Sequence, residues 1–180
     1  GTLKADNSGQ SYAVAISGDG LVVGGSADND NGESRGIIWS GSNWTTKTAL
    51  GTLKADNSGG AFVQALSRDG SVAVGNAEND RSYMPRPIVW SGSNWGTKTQ
   101  LGVLNDSYTL SGSADAVSDD GSIVVGSVSV DSSNFHAIVW SGSNWATKTD
   151  LGTLKTDNSG TSAAFAVSGD GSLVFGHATN

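Results

Sequence analysis

The 180-residue chain contains no cysteine, so neither a disulfide framework nor a thiolate metal site is possible. Charged residues are scarce, at 15%, and 17 acidic residues outnumber 10 basic ones. The lysines are scattered at repeat positions such as Lys4, Lys54 and Lys155, so the sequence predicts no nucleic-acid partner. No run of about 18 apolar residues occurs, and no insertion into a membrane is predicted.

Glycine, by contrast, is abundant, with 26 residues, which favours short strands and tight turns over helices. Two signatures recur about every 50 residues, and such a period indicates a repeated supersecondary unit. Trp-Ser-Gly-Ser-Asn-Trp occurs at Trp39–Trp44, Trp90–Trp95 and Trp140–Trp145. Ser-x-Asp-Gly occurs at Ser17–Gly20, Ser67–Gly70, Ser118–Gly121 and Ser168–Gly171. One domain over 1–180 is predicted, with repeats 1–50, 51–101, 102–151 and a partial repeat 152–180.

Each full repeat predicts four short antiparallel strands. The first precedes Ser-x-Asp-Gly, and the second begins directly after it, because Asp-Gly favours a hairpin turn. The third strand ends at the first Trp of the Trp signature, and the fourth begins at the second Trp. We call the first two strands the Asp-Gly hairpin and the last two the Trp hairpin. Predicted second strands are Leu21–Gly25, Ser71–Gly75, Ser122–Gly126 and Ser172–Gly176.

Four strands in about 50 residues are typical of a β-propeller blade, so the predicted fold is an all-β, β-propeller-like array of about 3.5 repeats. A β-solenoid is the alternative. The junction of the third and fourth repeats, from His136-Ala137-Ile138 through Ala166–Ser172, resembles the HAF family of bacterial extracellular repeats. Ile138 stands where that family has Phe, and the first two repeats lack its His-Ala. The resemblance implies a secreted or surface protein and implies no reaction.

The hairpins do not pair off, because the chain has four Asp-Gly hairpins and three Trp hairpins. One Asp-Gly hairpin is therefore left with an unpaired strand edge, which favours strand addition. Three explanations stay open: a fragment of a longer array, a two-stranded blade, or edge-to-edge association into homo-oligomers. The chain begins at Gly1 in mid-pattern, without an initiator methionine or signal peptide, and we expect it to be processed or cut from a longer protein.

Binding residues are predicted in the loop between the second and third strands, the one segment whose length varies between repeats. The second copy of this loop offers Tyr83, Met84 and Arg86, and the third offers Phe135 and His136. These types suit contact with a protein or glycan, although tolerated surface variation is the stronger interpretation.

Two further sites are weighed against simpler structural roles. Asp28 and Asp30, in Asp-Asn-Asp-Asn-Gly-Glu, form a weak calcium candidate, since no distal bidentate glutamate follows at the required spacing. Trp44, Trp95 and Trp145 could stack on sugars as in propeller lectins, but packing between sheets is the stronger interpretation. No other metal and no cofactor is predicted.

Catalytic residues cannot be assembled from the sequence, since a nucleophile, a base and an orienting group do not occur together. The four Ser-Asp pairs at fixed spacing indicate turn chemistry. The leading hypothesis is a non-enzymatic module of a bacterial surface or secreted protein, acting in adhesion or structural assembly. The alternatives are a glycan-binding lectin and a self-assembling fibre or ring subunit.

Overall fold

The computed structural model describes residues 1–104 and 111–180, without the side chains of Ser82 and Tyr83. In these ranges the strands form three four-stranded antiparallel sheets and one two-stranded sheet, each from consecutive strands of one repeat. We number these sheets blades 1 to 4. The predicted all-β array of propeller-like blades is confirmed. The solenoid alternative is wrong, because the strands pair antiparallel within each repeat.

The strands follow one another in chain order, four to each complete blade. They are β1 (Ser11–Ile16), β2 (Val23–Asp28), β3 (Ser34–Ser40), β4 (Thr46–Ala49), β5 (Ala61–Leu66), β6 (Ala73–Asn79), β7 (Ser82–Ser91), β8 (Thr97–Gln100), β9 (Gly112–Val117), β10 (Val124–Ser129), β11 (Phe135–Ser141), β12 (Thr147–Asp150), β13 (Ser162–Val167) and β14 (Val174–Ala178). Short 3-10 turns join the third and fourth strands at Ser42–Trp44, Ser93–Trp95 and Ser143–Trp145.

Two predicted strand boundaries are wrong. The second strand of every blade begins two residues later than predicted, because the Ser-x-Asp-Gly turn is longer than a two-residue hairpin: the Val22 N–H still donates to Ser17 Oγ, at 3.0 Å. The second Trp of each signature ends a turn instead of beginning a strand. Asn94 and Trp95 both have positive φ, at 53° and 54°, so the chain makes a left-handed turn there.

A bulge interrupts the first strand of every blade and explains one glycine of the repeat. The pairing register skips one residue, which is Val14, Gln64, Asp115 or Phe165. The bulge brings a carbonyl of the first strand over the second strand, so that a Cβ on the glycine there would overlap it. These glycines are Gly25, Gly75, Gly126 and Gly176.

The core lies between consecutive blades. The first strands of neighbouring blades lie beside each other, and apolar side chains of the sheets fill the space between them. At the boundary of blades 1 and 2, Ile38 and Leu50 pack with Val63 and Trp90, all 2% exposed or less. Trp140 is the largest member of the equivalent cluster between blades 2 and 3. Each blade thus depends on its neighbour for burial of its apolar face.

Candidate interaction surfaces

Four Ser-Asp pairs hold the turns of the Asp-Gly hairpins. In blade 2, the Ser67 hydroxyl donates to Asp69 Oδ1 at 2.7 Å, and the Ser71 N–H donates to the same oxygen at 2.9 Å. The Val72 N–H in turn donates to Ser67 Oγ. The other three blades repeat this arrangement with Ser–Asp distances of 2.6 to 2.7 Å. The pairs therefore serve the turns, as four copies at one spacing predict.

These hydrogen bonds lower the pKa of every turn aspartate. For Asp19, Asp69 and Asp120 the largest cause is the backbone N–H two residues further on, followed by the serine hydroxyl. For Asp170 the Ser168 hydroxyl is the largest cause, and its pKa falls from the ordinary 3.8 to about 2. Hydrogen bonds to the charged form of a carboxyl favour that form, so the turns are built around carboxylates.

A ladder of backbone hydrogen bonds links the turns of consecutive blades. The Gly18 N–H donates to the Arg68 carbonyl, the Arg68 N–H to the Asp119 carbonyl, and the Asp119 N–H to the Gly169 carbonyl, at 2.6, 3.1 and 2.9 Å. Within the described residues the Gly169 N–H has no acceptor in a following blade, and the Gly18 carbonyl has no donor in a preceding one. The ladder is thus open at both ends.

The first Trp of each signature is a structural anchor of its blade. Its indole N–H donates to the carbonyl of the glycine that opens the repeat. The donor–acceptor distances are 3.2 Å for Trp39 to Gly1, 2.8 Å for Trp90 to Gly51 and 2.7 Å for Trp140 to Gly102. A lysine of the fourth strand reinforces the same contact by donating to the next carbonyl, as Lys98 does to Thr52.

The second Trp of each signature, predicted as a sugar-stacking candidate, also has its indole N–H engaged. Trp44, Trp95 and Trp145 donate to the carbonyls of Gly20, Gly70 and Gly121 at 2.9 to 3.0 Å. Trp95 and Trp145 are partly buried against the clusters between blades, as the packing interpretation predicts. Trp44 is 47% exposed, and the described residues place no preceding blade against it. Glycan binding by these residues stays a prediction.

The variable loops hold both exposed and buried candidates. Met84 and Phe135 are 49% and 37% exposed, so their side chains are open to a partner. Arg86 and His136 are only 3% and 5% exposed, which leaves them little surface for a ligand. His136 Nδ1 lies 3.0 Å from an oxygen of Asp150 on β12. The side chain of Tyr83 lies outside the described residues.

Arg35, equivalent to Arg86 and His136, shows what this position does in blade 1. Its guanidinium donates to the carbonyls of Asn57 and Gly59 in the next repeat, at 2.5 and 3.0 Å. The Gly59 N–H donates to Glu33, which is the largest cause of the lowered pKa of that carboxyl. In blade 1 the buried arginine therefore fixes the blade against the linker of the next repeat. The repeat alignment shows that Arg35, Arg86 and His136 occupy equivalent positions. Only their burial in the structure favours a structural role over ligand binding.

The calcium candidate lies beside an open polar groove of about 520 Å³ whose lining includes Asp30, Glu33 and Asp56. Asp28 Oδ2 accepts the N–H of Gln10, and Asp30 Oδ1 accepts the N–H of Ala5, at 2.9 and 3.1 Å. Both carboxylates thus tie the loop to the start of the repeat. The described residues contain no group of three or more metal-ligating side chains.

The two end blades expose faces that are buried in the interior of the array. In blade 4, Leu173 and Phe175 are each 58% exposed, whereas Val74 and Val125, equivalent to Phe175, are fully buried. In blade 1, Ala13 is exposed, whereas its equivalent Val63 is 2% exposed. An open cleft of about 410 Å³ lies on this face of blade 1, lined in part by Val23, Trp39 and Trp44.

These faces were not predicted as sites, because the same apolar positions serve as core elsewhere in the chain. Leu173 illustrates the point: its equivalents Val22, Val72 and Ile123 each lie against the turn glycine of the following blade. The number of blades, which a single repeat does not encode, decides whether the position is core or surface. In the described residues, no helix is long and apolar enough to cross a membrane.

Comparison with solved structures places the fold among β-propellers. The crystal structure of TolB from Acinetobacter baumannii is similar, with a TM-score of 0.54 and 17% sequence identity. The match covers 86% of this chain and 37% of the TolB chain, so the chain spans little more than a third of TolB's length. At this identity the likeness concerns the fold alone. No protein-family model and no curated protein matches the sequence.

Proposed function

We propose that this chain is a non-enzymatic repeat module of a bacterial secreted or surface protein, and that its role is structural assembly through its end blades. The observation that carries the proposal is the exposure of Leu173 and Phe175, which occupy positions buried or partly buried between blades elsewhere in the array. The resemblance to the HAF repeats supports the extracellular location. In the four equivalent turns the aspartate accepts hydrogen bonds from the turn's own serine hydroxyl and backbone N–H, which supports a structural role over a catalytic one.

The partner of the exposed face is another blade of the same repeat, here that of a second copy. Three boundaries within one chain provide the precedent, since each buries the second strand of one blade against the first strand of the next. The open ends of the turn ladder fit this contact, because the Gly169 N–H is the donor that the Gly18 carbonyl of a second copy needs. A head-to-tail contact of this kind closes into a ring or extends into a filament.

The loop residues Met84 and Phe135 keep adhesion open as a second role. Both side chains are exposed on the loops that vary between repeats. Unlike the blade faces, however, Met84 has no buried apolar equivalent among the described residues: its equivalents Glu33 and Asn134 make polar contacts with the next repeat. Assembly is therefore the better-supported function.

The test is the solution mass of the chain over a range of concentrations, by light scattering after size exclusion. We expect the mass to rise with concentration, and Leu173→Asp combined with Phe175→Asp to return the chain to a monomer, because burying two carboxylates opposes the contact. Leu21→Ser is the matched control: Leu21 is exposed, and serine stands at the equivalent positions of the other repeats. A monomer at every concentration would overturn the assembly role and direct the search to Met84 and Phe135.

A further inference from the structure

A groove runs along the open side of blade 4, where the other blades carry their Trp hairpin. Its volume is about 250 Å³, and its apolar lining includes Leu151, Leu154, Ala164, Val174 and Ala178. Leu151 and Leu154 are 47% and 68% exposed. The equivalent leucines on the linker into blade 2, Leu50 and Leu53, are buried and partly buried.

The residues equivalent to this lining surround a tryptophan in blades 2 and 3. Trp140 is fully buried in a cluster that contains Leu101, Leu104, Ala114, Val124 and Val128, the five equivalents in blade 3. Trp90 is fully buried with the equivalents in blade 2, which are Leu50, Leu53, Val63, Ala73 and Ala77. The groove of blade 4 is therefore the space that an indole ring occupies in the complete blades.

The hydrogen-bond acceptors for such a hairpin are also present. In the complete blades the first Trp donates to the repeat-opening glycine, the lysine to the next residue and the second Trp to the turn glycine. The equivalent carbonyls of blade 4 belong to Gly152, Thr153 and Gly171. Among the described residues none donates a hydrogen bond to these three oxygens.

The backbone of β14 completes the site, because among the described residues no strand pairs with its outer edge. In blade 3, Val124, Val125 and Gly126 pair with the third strand, with Val124 opposite Trp140. The same register places Val174 of β14 opposite the Trp of an added strand, and Gly176 opposite its Ile. An edge strand of this kind binds an extended segment through backbone hydrogen bonds, while side-chain pockets supply specificity.

We infer that blade 4 is a binding site for a Trp hairpin of this repeat type, supplied from outside residues 1–180. The recognised chemistry is an extended Ile-Val-Trp or Ile-Ile-Trp strand, followed by Ser-Gly-Ser-Asn-Trp and a strand with lysine. This inference rests on the proposed assembly role, since the hairpin would complete the end blade through which the assembly is proposed to form. The hairpin comes from outside these residues because the three Trp hairpins within them already pair in their own blades.

In the experiment, the intact chain is titrated with a synthetic peptide that has the sequence of residues 135–150, and calorimetry measures the binding. We expect saturable one-to-one binding. The matched peptide, with alanine in place of both tryptophans, is expected not to bind, because it cannot fill the groove or donate to Gly152 and Gly171. Equal binding of the two peptides, or no binding of either, would overturn the inference.

Two variants of the chain locate the peptide. Leu154→Asp weakens binding by about tenfold or more, because a carboxylate would be buried against the indole ring. This variant keeps the fold, since Leu154 is 68% exposed in the free chain. Leu21→Ser, remote from the groove lining, leaves the affinity unchanged. An unchanged affinity in Leu154→Asp would show that the peptide binds elsewhere and would overturn the assignment of the groove as its site.

The outcome of the peptide experiment is independent of the outcome of the assembly experiment. Binding is measured at a dilution at which light scattering reports a monomer, so a positive titration does not require self-association. Peptide binding by a chain that stays monomeric at high concentration supports the groove and overturns the assembly role. Self-association without peptide binding supports the assembly role and overturns the groove.

Discussion

A Cβ atom on Gly75 of β6 would overlap the carbonyl oxygen of Phe62 on β5. The bulge at Gln64 causes this close approach, because it turns the preceding carbonyl over the neighbouring strand. All four blades repeat the relationship, so one backbone irregularity fixes a glycine in every repeat. The glycine is required here for space: its φ is not in the left-handed region.

Gly75→Ala is therefore expected to destabilise the chain by about 3 kcal/mol or more, since the obstacle is backbone that cannot rotate away. Gly96→Ala is the matched control, because Ala146 stands at the equivalent position of blade 3 and Gly96 has φ of −76°. We expect the control to change the free energy of unfolding by no more than about 0.5 kcal/mol. Urea unfolding measures both. Equal stability of the two variants would show that the bulge relaxes easily.

The turn serines offer a second comparison, between equivalent hydrogen bonds at a buried position and at a solvent-exposed position. Ser67→Ala removes the hydroxyl that donates to Asp69 and accepts from the Val72 N–H, in a residue that is fully buried. We expect a loss of about 1–3 kcal/mol, because the Val72 N–H stays buried without an acceptor. Ser168→Ala removes the same bonds in blade 4, where water reaches the turn, and should cost less. The reverse order in urea unfolding would contradict this explanation.

Much of the fold could be predicted because local chemistry carries it. The Asp-Gly turns, the alternation of hairpins and the role of Trp90 as a core residue follow from signatures that recur in each repeat. The Ser-Asn-Trp turn could not be predicted, since positive φ at Trp95 is unusual for a bulky residue. The hydrogen bond from its indole joins it to Gly70, which is distant in the sequence.

The candidate surfaces were harder to predict than the fold, because their exposure is a property of the array. Phe175 and Val125 occupy the same position in the repeat, yet one is exposed and the other buried. Likewise, the carbonyl of Gly152 is distinguished from that of Gly102 only by the missing Trp hairpin. Residue types in single loops predicted Arg86 and His136 as binding residues, but a residue type does not indicate whether its side chain is buried.

Stability should fall in acid through the turn aspartates. The pKa of Asp170 in the fold is about 2, below its ordinary 3.8, and the pKa values of Asp19, Asp69 and Asp120 are lowered in the same direction. A carboxyl with a lowered pKa contributes stability above its unfolded pKa and loses it as the pH falls through the folded value. Urea midpoints are therefore expected to drop between about pH 4 and pH 2. Asp69→Asn combined with Asp120→Asn should reduce this drop, and an unchanged drop would assign it to other groups.

Asp115 is expected to act in the opposite direction. It lies at the bulge of β9, and burial raises its pKa, since desolvation disfavours the carboxylate. A carboxyl whose pKa is raised by folding destabilises the fold when ionised, and this cost disappears once the pH falls below its unfolded pKa. Asp115→Asn should therefore raise the urea midpoint at pH 7 and have little effect near pH 3. The control, Asp119→Asn, changes an exposed side chain, and an equal gain there would point to net charge instead.

The last comparison separates packing from glycan binding at the second Trp of the signature. Trp95 packs partly buried against the boundary of blades 1 and 2, and its indole donates to Gly70. We expect Trp95→Phe to cost about 1–2 kcal/mol, because it keeps most of the ring contact but removes the hydrogen bond. Trp44→Phe should cost less, since water replaces the bond at a residue that is 47% exposed. Saturable binding on a glycan array that Trp95→Ala abolishes without changing the urea midpoint would contradict the packing role and support a lectin.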